Sequence, residues 1–203
     1  ILSCIGAPEK AGIEADYMIS KFELSADWQE QELADVTEDQ YAEHRQDLRD
    51  ISFVTIDASE TRDVDDAIFA EKVTDGWRVL VAIADPTAFI KVSGKLEKAA
   101  AKRGSTVYMP GRVLPMLPEQ LSSQRCSLLA DQERAALVCE MHISDEGEII
   151  EYGFQQALIK SVGKLGYDDV HGHLNDGPSL PFGCLNILKQ ATDAMLARRR
   201  DIN

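Results

Sequence analysis

Four aspartates crowd into ten consecutive residues of this chain: Asp57, Asp63, Asp65 and Asp66. Closely packed carboxylates repel one another and raise one another's pKa, so a fold that keeps several of them ionised needs a compensating cation. Hard cations with oxygen ligands, Mg²⁺ above all, meet that need. Mg²⁺ held by carboxylates is also common in enzymes that cut or make phosphodiester bonds. The cluster therefore predicts a metal site for phosphate chemistry.

The residues around the cluster predict how it is positioned. Residues 52–56 form a short apolar, β-branched run, which is typical of a strand and puts Asp57 at its end. Residues 61–66 are polar and indicate a loop, and apolar character resumes at residues 67–70, where we expect the next strand. Carboxylates at a strand end and on the following loop can converge, and such a site takes its rigidity from the sheet.

Three other interpretations of the acidic run compete with a metal site. A solvated loop stays open, although the acids are interleaved with residues of a buried type. A calcium loop is excluded by spacing, because the sixth position from Asp57 is Arg62 instead of Gly and the twelfth is Ile68 instead of Glu. A phosphatase with an Asp-x-Asp motif is disfavoured because Ala58 and Ser59 follow the strand-end aspartate.

With its flanking segments, the cluster resembles the signature of the RNB catalytic domain, found in exoribonuclease II and RNase R. The resemblance covers roughly residues 45–170, and the ordered set of motifs is highly specific. The motifs, in family order, are Asp47-Leu48-Arg49-Asp50, Thr55-Ile56-Asp57, Asp63-Val64-Asp65-Asp66-Ala67, Val81-Ala82-Ile83-Ala84-Asp85-Pro86-Thr87, Arg103-Gly104-Ser105-Thr106-Val107-Tyr108-Met109-Pro110, Pro115-Met116-Leu117-Pro118, Leu121-Ser122 and Cys126-Ser127-Leu128.

The resemblance implies roles for these acids. In the family they bind Mg²⁺ (one or two ions, with Mn²⁺ as a substitute) and organise the attacking water. Carried over by position, they are Asp57, Asp63, Asp65 and Asp66. Spacing does not say which acids are direct ligands. The resemblance favours Asp57 and Asp66 as ligands and Asp65 as the most sensitive catalytic group.

The resemblance also implies an RNA-binding residue. Tyr108 matches a family aromatic that stacks on a base near the RNA 3′ end, and Arg103 and Arg112 lie beside it in sequence. Stacking tolerates any base, because every base has a π-face. The alternative is a core tyrosine whose hydroxyl is satisfied inside the protein.

We expect an α/β (α+β) fold with a mixed β-sheet core and flanking helices, forming an incomplete RNB-type catalytic domain. Residues 1–50 are expected to be a mostly helical segment, with candidate helices at 11–24, at 26–36 and from Thr37 toward Asp47. Residues 51–203 are expected to be the N-terminal portion of the catalytic domain. Elements predicted beyond the cluster are a strand at 77–84 preceded by a turn at Asp75-Gly76, a helix at 95–103 ended by Gly104, a hairpin pairing 135–143 with 148–160, and a helix at 186–200.

Composition narrows the class of protein. No apolar run approaches the ~20 residues of a membrane span, and Cys4, Cys126, Cys139 and Cys184 are scattered without a Cys-x-x-Cys pair. This pattern favours reduced thiols, a cytoplasmic location and no disulfide-linked partner. The net charge of −14 counts against a generic nucleic-acid binder, but residues 91–112 carry six basic side chains and one acidic side chain.

The function expected by resemblance is a Mg²⁺-dependent 3′→5′ exoribonuclease that hydrolyses single-stranded RNA to nucleoside 5′-monophosphates. The family supplies further arginines and OB folds from outside the matched segment, so we expect a piece of a larger enzyme that can be inactive alone. The alternative is a non-catalytic RNB-like module that binds RNA or another partner. The presence of all four aspartates favours the enzyme. Asp85, next to Pro86, is expected to cap a turn.

Overall fold

The computed structural model describes residues 4–7, 9–25, 27–175 and 177–202, with side chains through residue 200. The predicted segments 1–50 and 51–203 and the candidate helix at 26–36 include positions 1–3, 8, 26, 176 and 203, which lie outside the described residues. The chain divides into two compact units, one formed by residues 1–40 and 87–122 and the other by residues 41–86 and 123–203. We call them the insert unit and the sheet unit. The predicted boundary at residue 50 stays a prediction.

The elements follow in chain order. The strands are β1 Gln46–Asp47, β2 Val54–Asp57, β3 Asp66–Val73, β4 Gly76–Ala84, β5 Val107–Met109, β6 Arg112–Leu114, β7 Glu133–Ser144, β8 Ile149–Lys160 and β9 Gly163–Gly166. The α-helices are α1 Ile13–Lys21, α2 Glu30–Leu33, α3 Lys95–Arg103, α4 Tyr167–Leu174 and α5 Cys184–Ile202. Short 3-10 turns occupy Ala42–His44 and Pro86–Phe89, and a π-helical segment occupies Gln120–Cys126.

The sheet unit is built on one mixed sheet of seven strands in the described residues, in the order β1-β8-β7-β4-β3-β2-β9. Its central pairs are antiparallel, whereas β1 runs parallel to β8 and β2 runs parallel to β9. Two apolar clusters hold helices against this sheet. In one, Ala191 of α5 packs with Trp77, Val79 and Ile143. In the other, Leu185 packs with Val54 of β2 and Leu165 of β9. The expected mixed sheet with flanking helices is confirmed.

The insert unit is smaller and contains α1, α2, α3 and the hairpin of β5 and β6. Asp35, just after α2, accepts hydrogen bonds from the backbone N–H groups of Lys95 and Leu96 and so caps the first turn of α3. Gly104 ends α3 with a φ of 74°, a left-handed conformation that glycine adopts readily. The helix predicted at 95–103 is confirmed.

The structure corrects the expected start of the chain. A one-turn 3-10 helix at Ala42–His44 stands where a third helix was predicted from Thr37 toward Asp47. The backbone N–H of Thr37 donates to the Phe89 carbonyl at 2.8 Å, and that of Gln40 donates to the Ala88 carbonyl at 3.0 Å. Because these donors pair with another segment, the capping pattern in the sequence does not start a helix. Helices therefore cover less of residues 1–50 than predicted.

Candidate active site

Asp57 is the last residue of β2 and is half-buried. Phe53 and Val54, just before it, are completely buried, so the strand is anchored in the core. On its other side β2 pairs with β9, and Asp57 lies opposite Gly166 in the parallel register. A carboxylate at the end of such an anchored strand has a fixed backbone position.

Asp66 is the first residue of β3, where it lies opposite Ile83 of β4. Strands β2 and β3 are antiparallel, with Val54 opposite Ile68. The end of β2 and the start of β3 therefore share one edge of the sheet, which brings Asp57 and Asp66 together. The strands predicted on either side of the loop are confirmed.

Asp63 and Asp65 lie in the loop between these strands, on either side of Val64. Val64 is completely buried, while Asp63 is half-buried and Asp65 is exposed. The Val64 N–H donates to the Ser127 hydroxyl at 2.9 Å, and its carbonyl accepts from the Leu128 N–H at 2.9 Å. The loop is thus anchored at its buried residue, between two carboxylates.

The four carboxylates act on one another electrostatically. Partial burial, then the charges of Asp66 and Asp63, raise the pKa of Asp57, while Lys164 opposes the change. The pKa of Asp65 is also raised, first by loss of hydration and then by the charges of Asp63, Asp66 and Asp57. Within the described residues, no hydrogen bond or ion pair engages any of the four carboxylate groups. The edge therefore concentrates negative charge that the protein itself does not pair.

Lys164 of β9 supports the same loop without neutralising it directly. Its ammonium group donates to the carbonyls of Ser59 at 3.0 Å and Thr61 at 2.6 Å. This role of Lys164 was not predicted from the sequence. No local signal reveals one, because its partners lie about a hundred positions earlier in the chain.

The donor set suits a hard divalent cation, because all four groups offer carboxylate oxygens. In the described part of the chain, however, no three His, Cys, Asp or Glu side chains already form a group that could hold an ion. A bound cation would require these side chains to come closer together than they stand here. The uncompensated negative charge supplies the driving force for such a change.

The residues predicted to bind RNA all lie in the insert unit. Tyr108 sits on β5 opposite Val113 of β6 and is 69% exposed, so the alternative of a core tyrosine is wrong. The Arg112 guanidinium pairs with Asp16 at 2.9 Å. RNA binding by Tyr108 and Arg112 stays a prediction.

Arg103 has structural contacts that the sequence did not reveal. Its guanidinium donates to the backbone carbonyls of Ser25 at 2.8 Å, Asp27 at 2.8 Å and Pro115 at 3.3 Å. It also stacks on the Trp28 ring, with 3.9 Å from the guanidinium carbon to the ring centroid. These contacts hold segments of the insert unit together. RNA binding by Arg103 stays a prediction, and RNA would have to compete with these contacts for the guanidinium group.

Asp85 follows β4, is buried, and stands just before the 3-10 turn Pro86–Phe89, where its role as a turn cap stays a prediction. Its carboxylate pairs with the Arg45 guanidinium at 2.9 Å, and the two side chains are 8% and 1% exposed. The preceding residue, Ala84, donates its N–H to the Asp65 carbonyl at 2.8 Å. A buried ion pair therefore stands next to the backbone that carries one of the site aspartates.

The sheet unit is thus a mixed sheet with flanking helices that carries an acidic edge, and comparison with known proteins gives its family. The RNB domain matches residues 45–196. The chain belongs to the RNB-domain family.

Three relatives illustrate the match. Ribonuclease R of Buchnera aphidicola subsp. Schizaphis graminum is 43% identical over 149 residues, which are 72% of this chain and 20% of that protein. Exoribonuclease 2 of Mannheimia succiniciproducens is 46% identical over 139 residues, which are 65% of this chain and 21% of that protein. Mycoplasma genitalium RNase R, solved in complex with double-stranded RNA, superposes with a TM-score of 0.88 at 30% identity, over 97% of this chain and 37% of that one. The chain spans about a fifth of the two curated relatives.

Proposed function

We propose that this chain supplies the aspartate part of the active site of a Mg²⁺-dependent 3′→5′ exoribonuclease that converts single-stranded RNA to nucleoside 5′-monophosphates. The observation that carries the proposal is the sheet edge where Asp57, Asp63, Asp65 and Asp66 meet without a protein partner. The family relatives named ribonuclease R and exoribonuclease 2 support the class of reaction.

Each aspartate has a proposed role. Asp57 and Asp66 stand on strands, so their backbones are the least able to move, and they would hold Mg²⁺, with Mn²⁺ as a substitute. Bound Mg²⁺ would lower the pKa of a water molecule and balance charge on the phosphate oxygens. Asp63 and Asp65 stand on the anchored loop, where their carboxylates would orient the attacking water and accept its proton.

The proposed substrate follows from chemistry and from the relatives. RNA is favoured because Mycoplasma genitalium RNase R was solved with RNA bound. Tyr108, exposed on its hairpin, offers a π-face to which any base can stack. We place the enzyme in the cytoplasm because its scattered cysteines are free thiols. None of the described helices has the length and apolar character needed to cross a membrane.

The test uses the full-length protein that contains this chain, with Asp65→Asn. The change keeps the size of the side chain and removes a charge that should orient water. We expect hydrolysis of a labelled single-stranded RNA to fall by ~10²–10⁴-fold. RNA affinity should stay close to wild type, because basic and aromatic groups elsewhere carry binding.

Asp75→Asn is the matched control. Asp75 is exposed in the turn that follows β3, at the opposite end of that strand from Asp66. It should leave both hydrolysis and binding unchanged. Wild-type protein that binds RNA but does not cut it with Mg²⁺ or Mn²⁺ would favour the non-catalytic module instead. Equal loss of cutting and binding in Asp65→Asn, with the fold intact by circular dichroism, would contradict the assigned role.

A further inference from the structure

We propose that Ser127 is a positioning residue for the acidic edge: its buried hydroxyl sets where the backbone between Arg62 and Val64 runs, and so where Asp63 and Asp65 stand. The inference rests on the proposed function and deepens it. Ser127 has no assigned role in metal binding or in the reaction, and it lies in a different segment of the sheet unit from the aspartates.

The contacts of the Ser127 side chain are specific. Its hydroxyl donates to the Arg62 carbonyl at 2.8 Å and accepts the Val64 N–H at 2.9 Å. The residue is completely buried, so water cannot easily replace these bonds. One hydroxyl thus holds the backbone groups on both sides of Asp63.

The serine is itself held in place. Its carbonyl accepts from the Arg134 guanidinium at 2.8 Å, and the next residue, Leu128, donates its N–H to the Val64 carbonyl at 2.9 Å. Both backbone groups of Val64 are therefore bonded to residues 127 and 128. These hydrogen bonds join the loop to residues 127 and 128 in addition to the regular pairing of the sheet.

The hydrogen bonds of Ser127 hold the part of the acidic edge that lies outside the strands. Asp57 and Asp66 are fixed by β2 and β3, whereas Asp63 and Asp65 lie between the strands. Lys164 holds the first half of the loop through Ser59 and Thr61, and Ser127 holds the second half. Loss of the Ser127 hydroxyl should free Asp63 and Asp65 more than it disturbs the strand aspartates.

The test compares Ser127→Ala with Ser161→Ala in the full-length protein. Ser161 is also buried, 1% exposed, and its hydroxyl donates to the Gly163 carbonyl at 3.3 Å, so it is a matched loss of a buried serine hydroxyl. A misplacement of about 1 Å can cost ~10²-fold in rate, so Ser127→Ala should slow single-turnover RNA cleavage by ~10–10²-fold. RNA affinity should not change, and the Mg²⁺ concentration for half-maximal binding, measured by calorimetry with Mg²⁺ alone, should rise. Ser161→Ala should change neither quantity.

Two further variants separate positioning from folding. Ser127→Thr keeps the hydroxyl and should preserve the cleavage rate and the Mg²⁺ affinity. Ser127→Cys fills the space with a weak hydrogen-bonding group and should behave like Ser127→Ala. If neither the Ala nor the Cys variant folds, Ser127 is a residue of the fold and the inference is wrong.

Other results would also overturn the inference. Folded Ser127→Ala with wild-type cleavage and Mg²⁺ affinity would do so, as would equal losses in Ser127→Ala and Ser161→Ala. A wild-type protein that cuts no RNA would contradict the proposed function. In that case the Mg²⁺ titration of the same variants still decides the role of Ser127.

Discussion

The buried pair of Arg45 and Asp85 gives a sharp stability prediction for Asp85→Ala. The change would leave the Arg45 guanidinium charged in a place where its side chain is 1% exposed. Removal of one partner of a buried pair costs ~3–5 kcal/mol, because the remaining buried charge no longer faces this opposite charge.

The assay is hydrogen exchange in the full-length protein, measured for peptides that cover β4 and β7. These strands flank the pair, because the Asp85 N–H donates to the Ala135 carbonyl at 3.1 Å. A loss of ~3–5 kcal/mol should speed exchange through opening of the sheet unit by roughly 10²–10⁴-fold. Glu133→Ala is the control: it breaks an exposed pair with Arg49, 2.7 Å apart, and should cost at most ~1 kcal/mol.

A double variant tests the physical reason. Arg45→Met combined with Asp85→Leu removes both charges together and should recover most of the lost protection, because apolar residues can replace a buried ion pair at little cost. Exchange in Asp85→Ala that matches the Glu133→Ala control would refute the reasoning. A double variant less stable than Asp85→Ala would also refute it, since removal of the buried Arg45 charge would then have brought no gain.

Two further predictions concern recognition and pH. Tyr108→Ala in the full-length enzyme should lengthen the shortest RNA fragment left behind, whereas Tyr108→Trp should preserve its length, as gel sizing would show. Tyr152→Ala is the control for the simple loss of a tyrosine, because Tyr152 is also exposed, at 66%. A large drop in melting temperature for Tyr108→Ala with an unchanged end product would contradict a stacking role. The raised pKa values of Asp57 and Asp65 mean that the folded, metal-free protein holds protons more tightly than the unfolded chain, so stability should fall as pH rises from about 4 through those pKa values. At a pH above these pKa values and with a chelator present, Asp65→Asn should unfold at a higher temperature than wild type. An unchanged or lower melting temperature would argue against repulsion among the four aspartates.

Local sequence signals predicted the elements that carry the site. The apolar runs on either side of the acidic loop became β2 and β3, and the turn at Asp75-Gly76 joins β3 to β4. Gly76 has a φ of 144°, and a Cβ there would meet the Ile143 carbonyl oxygen at 1.9 Å, so the turn admits only glycine. Such signals are readable because each is contained in a few neighbouring residues.

The contacts that support the site could not be read in this way. Ser127 and Val64 are 63 positions apart, and Arg45 and Asp85 are 40 positions apart. Serine, lysine and arginine are common on surfaces, so the sequence gives no sign that these particular ones are tied to the interior. The same limit applies to the parallel pairing of β2 with β9, which depends on a return of the chain after more than a hundred residues.

The placement of the Lys164 and Ser127 donors explains how the acidic edge can keep its negative charge in the metal-free protein. If Lys164 bonded directly to the carboxylates, it would stabilise the metal-free fold but compete with an incoming ion. Its ammonium group bonds instead to the carbonyls of Ser59 and Thr61, and Ser127 bonds to the backbone around Asp63. The backbone is thus fixed by protein donors, while the carboxylate oxygens keep their charge for an external partner. On this view the repulsion among the aspartates is a cost of metal-free folding, and bound Mg²⁺ would offset it by mass action because it binds the folded state alone.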